Sequence, residues 1–576
     1  MTLIHKGGGK TKDEIGNYRP ISIMNILAKV FGMTINEKLM TWAEQYRIWG
    51  EEQSGFRKGR GGLENVYVIK EIIERNRKQG TELYLIFLDL EKAFDTVNRQ
   101  KLMRLLTHIG VDEKIIEVIK QMYIENKMKF TLGNVSTAWL ENNVGVRQGC
   151  VMSPTLFNIY LEELLVRIRK SGKGVTIGNE KLGCLAYADD VVLMTEKKRD
   201  MEDLLEITRN YGKEWDLCFS AKKCKVLEFN SVEKSQWVLG NDVLQIVEKY
   251  TYLGIEISKE GIGEEKQRRI NEGKARRMAG MIINGGSRQI NKYEVGRSLW
   301  KGVAVPYCLY GSEITNYREG DFAKLEKIQN IVGRWGLGAP RYTAIEAIRG
   351  DMAWSTFKER IIKGKFGFVK KIKEMKEGRW AKKILEEGRR DTTLKREIDK
   401  WSMRENIGDG WNNMSLKDIK KKIEGNGLER WTAGMREKSS MKWYRRKQKP
   451  EEIRWHVGDW GSKLLFKART GTLEVKGRNR DDQQDKNCSF CVGEKETIEH
   501  LIVECDKYNE QRRRLIDAVI TVIGKEEWER RQGEEDGGIC TVLGLYGGKE
   551  ETEKLAEPAK TFLVQCWNIR QHRGHR

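Results

Sequence analysis

The sequence predicts an α+β protein with several domains, and three observations support this fold class. Over residues 1–258, apolar strand-like runs alternate with amphipathic helical stretches. Beyond that point the pattern is helical and basic, and only 6 prolines occur among 576 residues, which favours long helices. No apolar run reaches the roughly 18 residues that a membrane span needs, so we expect no membrane partner.

The composition indicates a polyanionic partner. Lysine and arginine number 106 against 84 aspartates and glutamates, which gives a net charge of +22. A field of this sign favours nucleic acid, although charge alone is equally compatible with an ordinary basic globular protein. The 10 cysteines are scattered except for one cluster near the C-terminus, a pattern typical of a reducing compartment.

Two adjacent aspartates, Asp189 and Asp190, interrupt an apolar region. The runs on either side, CLAYA (184–188) and VVLM (191–194), predict two short strands joined by a tight turn. The pair would then lie at or beside the turn of a β-hairpin. Aspartate is common in turns, so an ordinary structural turn is the alternative interpretation.

A second acidic site favours a functional interpretation. The run LYLIFLDL (83–90) predicts a buried strand that carries Asp89 close to its end, and KVLEF (225–229) predicts a further strand. If the strand of Asp89 pairs beside the hairpin, three carboxylates converge and repel one another. Two Mg²⁺ ions, which polymerases and nucleases hold about 3.5–4 Å apart, would relieve this repulsion.

A glycine-containing loop lies between the two acidic sites. Arg147, Gln148 and Gly149 form this loop, and Gly149 would let the backbone come close to a ligand. The next residues predict a helix with Ser153 as N-cap and Pro154 at its first position. The apolar residues that follow at helical spacing predict a face buried in the core.

These motifs, in this order and spacing, resemble those of reverse transcriptases. Further stretches resemble the polymerases of non-long-terminal-repeat (LINE-like) retrotransposons. The resemblance is dense to about residue 258 and looser to about 350. It rests on Asp89 with Phe94, RQGCVMSP (147–154), YADD (187–190), NYRPISIMNILAKVF (17–31), EQSGFRKGRGG (52–62) and YLG (252–254).

The resemblance implies a right-hand polymerase fold. We expect fingers and palm over residues 1–258 and a helical thumb over 259–370, which includes a basic helix at 264–282. A basic helical extension over 371–480 and a zinc-knuckle region over 481–576 would follow.

The same resemblance implies catalytic roles in the palm. Asp89 and Asp189 would be the Mg²⁺ ligands, with Asp190 beside them. Phe94 occupies the place of an aromatic gate that would clash with a ribose 2′-hydroxyl and so favour dNTPs. A plain core phenylalanine is the alternative.

Several cationic and loop residues match positions that bind the nucleotide. Lys6 and Arg19 would clasp the triphosphate, while Gln148 and Gly149 would touch the incoming nucleotide and the template. Lys223 matches a lysine proposed to aid departure of pyrophosphate.

The stretch around this lysine departs from the family pattern. Asn-x-x-Lys-Thr-Lys becomes Ser220-Ala-Lys-Lys-Cys224-Lys, so the sequence leaves open which lysine faces the phosphate.

Three more residues are expected near the template and primer. Arg57 and Arg60 would meet the template backbone, with solvated surface positions as the alternative. Tyr187 would lie near the primer end.

Near the C-terminus, Cys488-x2-Cys491-x8-His500-x4-Cys505 has the residue types of a tetrahedral zinc site. Four protein ligands would leave no open position, so the zinc would be structural. The cluster also resembles the terminal zinc knuckle of LINE-like proteins and would bind nucleic acid. A chance cluster of cysteines is the alternative.

The basic stretch 436–455 precedes this cluster. Trp443 and Tyr444 lie among lysines and arginines, so they could stack on bases while the cations hold phosphates. A solvated basic helix with a packed tryptophan is the alternative.

The implied function is that of an RNA-directed DNA polymerase. Its partners would be an RNA template, dNTPs and a nicked DNA target that serves as primer in the nucleus. A catalytically inert nucleic-acid-binding remnant and a group II intron maturase stay open as alternatives. The chain begins close to the first fingers motif and has no Pro-Asp pair after Cys505. We therefore expect a separate endonuclease, unless the chain is a fragment of a longer protein.

Overall fold

The computed structural model describes residues 1–7, 9–124, 127–132, 135–231, 235–285, 291–387, 392–478 and 485–571. The chain divides into two compact units. The first contains Met1–Gly263 and Lys371–Lys395, and the second contains Glu264–Lys370 and Arg396–Arg576. This division differs from the four predicted segments, because residues 371–395 belong with the first unit.

A five-stranded sheet forms the centre of the first unit. Its strands, in spatial order, are Cys184–Tyr187, Asp190–Thr195, Leu83–Leu88, Lys225–Phe229 and Gln245–Ile246. The first four are antiparallel to their neighbours and the last pair is parallel. All six residues of Leu83–Leu88 are buried, as expected for an uninterrupted apolar run. The four strands predicted around the acidic residues are thus confirmed.

The predicted hairpin is present with a two-residue turn. Tyr187 is paired with Asp190 across the ladder, so Ala188 and Asp189 form the turn. Ala188 has a φ of 59°, which places it in the left-handed region. The turn therefore holds Asp189 at the end of the hairpin and Asp190 at the first position of the returning strand.

Helices cover this sheet and carry most of the remaining core. On the Ser153–Lys170 helix, the predicted apolar face is buried, including Phe157, Tyr160 and Leu164. The N-cap is Met152 rather than Ser153, and it provides no side-chain cap hydrogen bond. The helix therefore begins at Ser153, one residue earlier than predicted.

The remaining elements of the first unit are short strands and helices. Thr2–His5 pairs antiparallel with Tyr18–Ile21 and parallel with Thr131–Leu132, which pairs with Val135–Ser136. The other strands are Lys127–Met128, Leu140–Glu141, Val175–Ile177, Glu180–Leu182, Val238–Leu239, Asp242–Val243, Lys249–Tyr252, Ile255–Ser258 and Gly261–Ile262. The helices are Ile15–Asn17, Ile26–Gln45, Gly62–Gln79, Ala93–Thr96, Arg99–His108, Glu113–Tyr123, Lys198–Trp215 and Trp380–Glu387.

The second unit is helical, as predicted, and its described residues include no β-strand. Its longer helices are Glu264–Gly285, Lys292–Leu299, Glu319–Leu337, Ile345–Met352, Phe357–Lys373, Thr393–Arg404, Leu416–Arg436, Trp460–Arg469, Asn509–Ile523, Lys525–Gln532 and Lys549–Gln571. Shorter helical segments are Trp300–Ala304, Val305–Leu309, Asp409–Asn413, Ser439–Met441, Tyr444–Arg446, Lys476–Arg478, His500–Glu504, Asp506–Tyr508 and Gly537–Val542. Fully buried tryptophans, among them Trp300, Trp354 and Trp431, dominate its core. None of the described helices of either unit is long and apolar enough to cross a bilayer.

Candidate active site and metal centre

Three carboxylates lie at one edge of the central sheet. Val191 is paired with Leu88 across the antiparallel ladder. The adjoining residues on that side, Asp190 and Asp89, therefore lie at the same end of neighbouring strands, with Asp189 in the turn beyond them. The structure brings together the three aspartates that the sequence singled out.

The backbone of Asp89 is held by two residues that depart from the family pattern. The Asp89 N–H donates to Cys224 Sγ at 3.3 Å, and the Asp89 carbonyl accepts from the Ser220 N–H at 2.8 Å. Cys224 is fully buried, and burial raises the pKa of its thiol to about 11. Ser220 and Cys224 thus act as positioning residues for Asp89, a role that sequence reasoning missed.

The hairpin turn is clamped by a fully buried glutamine. Gln53 Oε1 accepts from the N–H of Ala188 at 2.9 Å and from the N–H of Gly55 at 2.8 Å. Gln53 Nε2 donates to the Ala188 carbonyl at 3.3 Å. A Cβ on Gly55 would lie 2.1 Å from the Ala188 nitrogen, so only glycine allows this approach. Gln53 and Gly55 belong to the EQSGF motif that supported the family resemblance, but the sequence alone assigned no role to Gln53.

Burial, together with electrostatic repulsion within the cluster, raises the pKa of two aspartates. Burial, followed by the charge of Asp89, raises the pKa of Asp189, while Arg19 acts in the opposite direction. For Asp190, which keeps a solvent-exposed side, loss of solvent on its protein side and the charges of Asp189 and Asp89 raise the pKa to about 6. Oxygen donors that repel one another in this way suit a hard divalent cation.

Three cationic side chains face the carboxylates. Lys223 Nζ lies 3.1 Å from Asp89 Oδ1. Burial lowers the pKa of Lys6, and the charges of Arg19 and Lys223 lower it further, whereas Asp89 raises it. Lys6 and Arg19 extend from the paired strands Thr2–His5 and Tyr18–Ile21, with Ile4 opposite Arg19. The predicted nucleotide-binding cations therefore lie near the predicted metal ligands.

The geometry also shows which lysine of the 220–225 stretch faces the acidic cluster. Lys223 contacts the Asp89 carboxylate. Lys225 Nζ instead donates to the Lys222 carbonyl at 2.7 Å and to Gln245 Oε1 at 2.8 Å. Lys223 is thus the one of these two that faces the acidic cluster.

Phe94 lies on the short Ala93–Thr96 helix, shortly after Asp89. It is half-buried and stacks on Phe157, with ring centroids 5.1 Å apart and an interplanar angle of 20°. This stacking fixes one face of the ring and agrees with both sequence interpretations. Its role as a gate stays a prediction.

The predicted nucleotide-binding loop approaches the backbone of Ser22 closely at Gly149. Gly149 has a φ of 102°, and a Cβ there would lie 2.7 Å from the Ser22 carbonyl oxygen. Gln148 Nε2 donates to the carboxylate of Asp95 at 3.3 Å. The backbone of Ser22 is thus the close neighbour of Gly149, and contact of this residue with a ligand stays a prediction.

The expected template contacts of two arginines are also corrected. Arg57, whose side chain is 2% exposed, donates to both Glu44 oxygens at 2.7 and 2.9 Å, and to the Gln53 carbonyl at 3.0 Å. Arg60, 6% exposed, makes a bidentate pair with Glu51 at 2.8 and 2.9 Å. Their guanidinium groups hold the loop before the Gly62–Gln79 helix and do not face an open surface.

Tyr187 ends the first strand of the hairpin and is half-buried. It is paired with Asp190 across the ladder, beside the carboxylate cluster. Its predicted place near the primer end stays a prediction.

In the second unit, the four predicted zinc ligands come together. Their ligand atoms all lie within 4.8 Å of one another, and Cys505 Sγ is 3.8 Å from Cys488 Sγ and 3.6 Å from Cys491 Sγ. His500 Nδ1 lies 3.3 Å from Glu504 Oε2, whereas its buried Nε2 has no hydrogen-bond partner among the described residues. Three thiols and an unpartnered imidazole nitrogen fit a tetrahedral zinc ion.

The aromatic residues of the basic stretch are packed inside the second unit. Trp443 is 7% exposed and Tyr444 is fully buried. The Tyr444 hydroxyl donates to Asp351 Oδ1 at 2.6 Å. Neither ring can stack on a base, so the packed alternative is the correct one for this pair.

Comparisons with known proteins agree with the motif resemblance. Residues 4–257 match the family described as Reverse transcriptase (RNA-dependent DNA polymerase). The chain is 31% identical over 224 residues to a Retrovirus-related Pol polyprotein from type-1 retrotransposable element R2 of Popillia japonica. It is 22% identical over 366 residues to an RNA-directed DNA polymerase from mobile element jockey of Drosophila melanogaster. These matches cover 38% and 61% of this chain, and 31% and 39% of the relatives.

Among solved structures, a telomerase from Candida tropicalis is similar in a match that covers 69% of this chain and 61% of the telomerase chain. The TM-score of this match is 0.33 at 13% identity.

The first unit therefore contains a reverse transcriptase domain, and its α+β architecture fits a right-hand polymerase. The relatives are proteins of the R2 and jockey elements, which agrees with the resemblance to non-LTR retrotransposon polymerases seen in the motifs. The chain spans about a third of the length of these curated relatives.

Proposed function

We propose that this chain is an RNA-directed DNA polymerase that adds dNTPs to a primer 3′-hydroxyl on an RNA template. The observation that carries the proposal is the cluster of Asp89, Asp189 and Asp190 at neighbouring strand ends, faced by Lys6, Arg19 and Lys223. A nucleotidyl-transfer site needs carboxylates that hold metal ions and, beside them, cationic side chains that hold the phosphates of the nucleotide.

Asp89 and Asp189 would hold the Mg²⁺ ions, with Asp190 raising the negative potential beside them. When bound, the two ions activate the attacking primer oxygen and stabilise the leaving one. The raised pKa values of Asp189 and Asp190 support this assignment, because bound cations would offset both the burial and the repulsion that raise them.

Lys6 and Arg19 would hold the triphosphate of the incoming nucleotide. Both side chains are exposed and extend from the paired N-terminal strands. Fixed cations there offset the charge that develops on the phosphate oxygens.

Lys223 would change partner during the reaction. It is 62% exposed and pairs with Asp89. Its ammonium group would exchange the Asp89 carboxylate for an oxygen of the departing pyrophosphate.

Phe94 would exclude ribonucleotides. Its stacking on Phe157 restrains the ring, so it cannot swing aside readily for a 2′-hydroxyl. Gln148, oriented by Asp95, would contact the nucleotide or template, and Tyr187 the primer end.

The C-terminal cluster would hold a structural zinc ion. Cys488, Cys491, His500 and Cys505 supply four ligands, and Arg512 Nη2 supports the last of them by donating to the Cys505 carbonyl at 2.7 Å. The folded knuckle would bind nucleic acid.

The proposal includes the predicted division into fingers and palm (1–258), thumb (259–370), basic extension (371–480) and knuckle (481–576). It also includes action on a DNA primer in the nucleus. Residues 371–395 pack with the first unit, so we assign that part of the extension to the support of the polymerase. Lys371 Nζ, 2.7 Å from buried Glu64, is one such contact.

Primer extension on RNA tests the proposal. The purified chain, an oligo(dT)-primed RNA template, dNTPs and Mg²⁺ should give extended DNA. Asp189→Ala should give none, although it should bind RNA as well as the parent does. Asp242→Ala, which removes an exposed aspartate in the same unit, is the matched control and should behave like the parent. RNA binding without extension by the parent would instead support an inert nucleic-acid-binding protein.

A further inference from the structure

The second unit contains a cavity in which cationic side chains outnumber acidic ones. It has a volume of about 270 Å³ and lies between the Arg446–Trp455 stretch, the end of the Trp460–Arg469 helix and residues 544–553. Six cations line it, against three glutamates: Arg446, Lys447, Lys449, Arg454, Arg469 and Lys549. A water molecule occupies about 30 Å³, so the cavity has room for a group of five non-hydrogen atoms such as phosphate.

Arg469 is the unusual member of this set. Its side chain is 2% exposed, and its guanidinium stacks over the Trp455 ring, 4.9 Å from the centroid. Its Nε and Nη1 are buried and have no hydrogen-bond partner among the described residues. A buried charged donor without an acceptor is unfavourable, so this arrangement favours the binding of an acceptor in the cavity.

The neighbouring charges leave the cavity positive. Lys447 Nζ is paired with fully buried Asp351 at 2.6 Å, and the charge of Arg469 also acts on this carboxylate, so two cations face one anion here. In the described part of the chain, no carboxylate lies within ion-pair distance of Arg469. At the rim, Lys449 and Arg454 are 65% and 70% exposed, and their glutamate partners lie at the distant limit of 3.9 Å. These weak pairs can open at little cost.

We propose that this cavity binds a phosphate group of a nucleic-acid strand, with Arg469 as its buried donor and the rim cations beside it. Arginine presents parallel N–H groups that match two oxygens of a phosphate. Stacking on Trp455 holds the guanidinium plane in place. Only the choice of a strand as carrier of the phosphate rests on the proposed polymerase function.

The first experiment measures the salt dependence of strand binding. Arg469→Met keeps the length and removes the charge, and Lys549→Ser removes an exposed rim cation without touching the core. Lys421→Ser, on the exposed face of the Leu416–Arg436 helix, is the control. Each cavity variant should make the slope of log K against log salt shallower by about 0.7. Relative to the parent, its binding constant at 0.1 M salt should then be roughly fivefold lower than a comparison at 1 M salt would give. The control should retain the parent slope.

The second experiment uses inorganic phosphate on the intact protein. Phosphate should raise the melting temperature of the parent above that in chloride of equal ionic strength, and this difference should vanish in Arg469→Met. Stabilisation by phosphate with parent-like strand binding by both cavity variants would identify a free phosphate as the ligand. Equal responses of parent, Arg469→Met and Lys549→Ser in both experiments would overturn the proposal. Neither the salt slope nor the phosphate response depends on primer extension, so failure of the polymerase proposal would remain distinguishable.

Discussion

Replacement of Gln53 by leucine tests how the protein positions Asp189. Leucine has a similar size but removes three hydrogen bonds: two that Gln53 Oε1 accepts from the N–H groups of Ala188 and Gly55, and one that Nε2 donates to Ala188. The turn that carries Asp189 would lose its support from the EQSGF loop.

The expected loss of stability follows from the two N–H groups, of Ala188 and Gly55, that the substitution leaves without an acceptor. Each buried N–H without an acceptor costs about 1–3 kcal/mol. Full retention of the native turn would thus cost about 2–6 kcal/mol, and relaxation lowers this to about 3 kcal/mol. Relaxation moves Asp189, and a displacement of about 1 Å at a reacting centre reduces turnover on the order of 100-fold.

The assay combines thermal unfolding with steady-state primer extension. Gln53→Leu should lower both the melting temperature and kcat, while the KM for dNTP changes less, because Lys6 and Arg19 are untouched. Gln79→Leu, at an exposed glutamine that ends the Gly62–Gln79 helix, is the matched control. A Gln53→Leu protein with parent melting temperature and parent kcat would refute the clamp.

Other predictions concern the corrected arginine, the gate, the aspartates and the zinc cluster. Arg57→Met should destabilise the protein by about 1–3 kcal/mol, since it leaves the buried Gln53 carbonyl without its donor, and should leave the salt dependence of RNA binding unchanged. A reduced slope would restore the template contact. Phe94→Ala should incorporate ribonucleotides, measured as the rNTP to dNTP ratio of kcat/KM, and an unchanged ratio would make Phe94 a core residue only. Because the pKa of Asp190 rises from 3.8 to about 6 on folding, the folded chain binds the extra proton. Stability without divalent ions should therefore fall as pH rises from about 4 to 6, and Asp190→Asn should lessen this fall in a pH series of melting curves. Metal analysis should find about one zinc per chain, and Cys491→Ser should reduce it; zinc-free parent protein would contradict the knuckle.

The strands of the active site could be predicted from the sequence because their signals are local. The apolar run before Asp89 and the two runs around Asp189 are each flanked by polar residues, and the observed strands end within two residues of the predicted limits. The convergence of the three aspartates followed from the family motifs, since the pairing of distant strands leaves no local signal.

The supporting contacts could not be predicted because their partners are distant in sequence. Gln53 and Ala188 are 135 residues apart, as are Cys224 and Asp89. Arg57 looked available for nucleic acid because its partner, Glu44, lies 13 residues away on another element. Tyr444 looked exposed within a basic run, yet its partner Asp351 is 93 residues away. Composition indicates the charge of a segment, but only the tertiary fold decides which cations are already paired.

Single-nucleotide incorporation as a function of Mg²⁺ concentration tests the central claim most directly. A primer on an RNA template of known sequence is extended by one dNTP, with the parent, Asp89→Asn and Asp189→Asn compared at equal strand occupancy. We expect the parent to insert only the complementary nucleotide, with a rate that saturates in Mg²⁺. Both variants should fall by at least about 1000-fold, because the loss of one charged ligand removes several kcal/mol of transition-state stabilisation. Incorporation by either variant at the parent rate and with the parent Mg²⁺ dependence would contradict the assignment of this carboxylate cluster as the polymerase site.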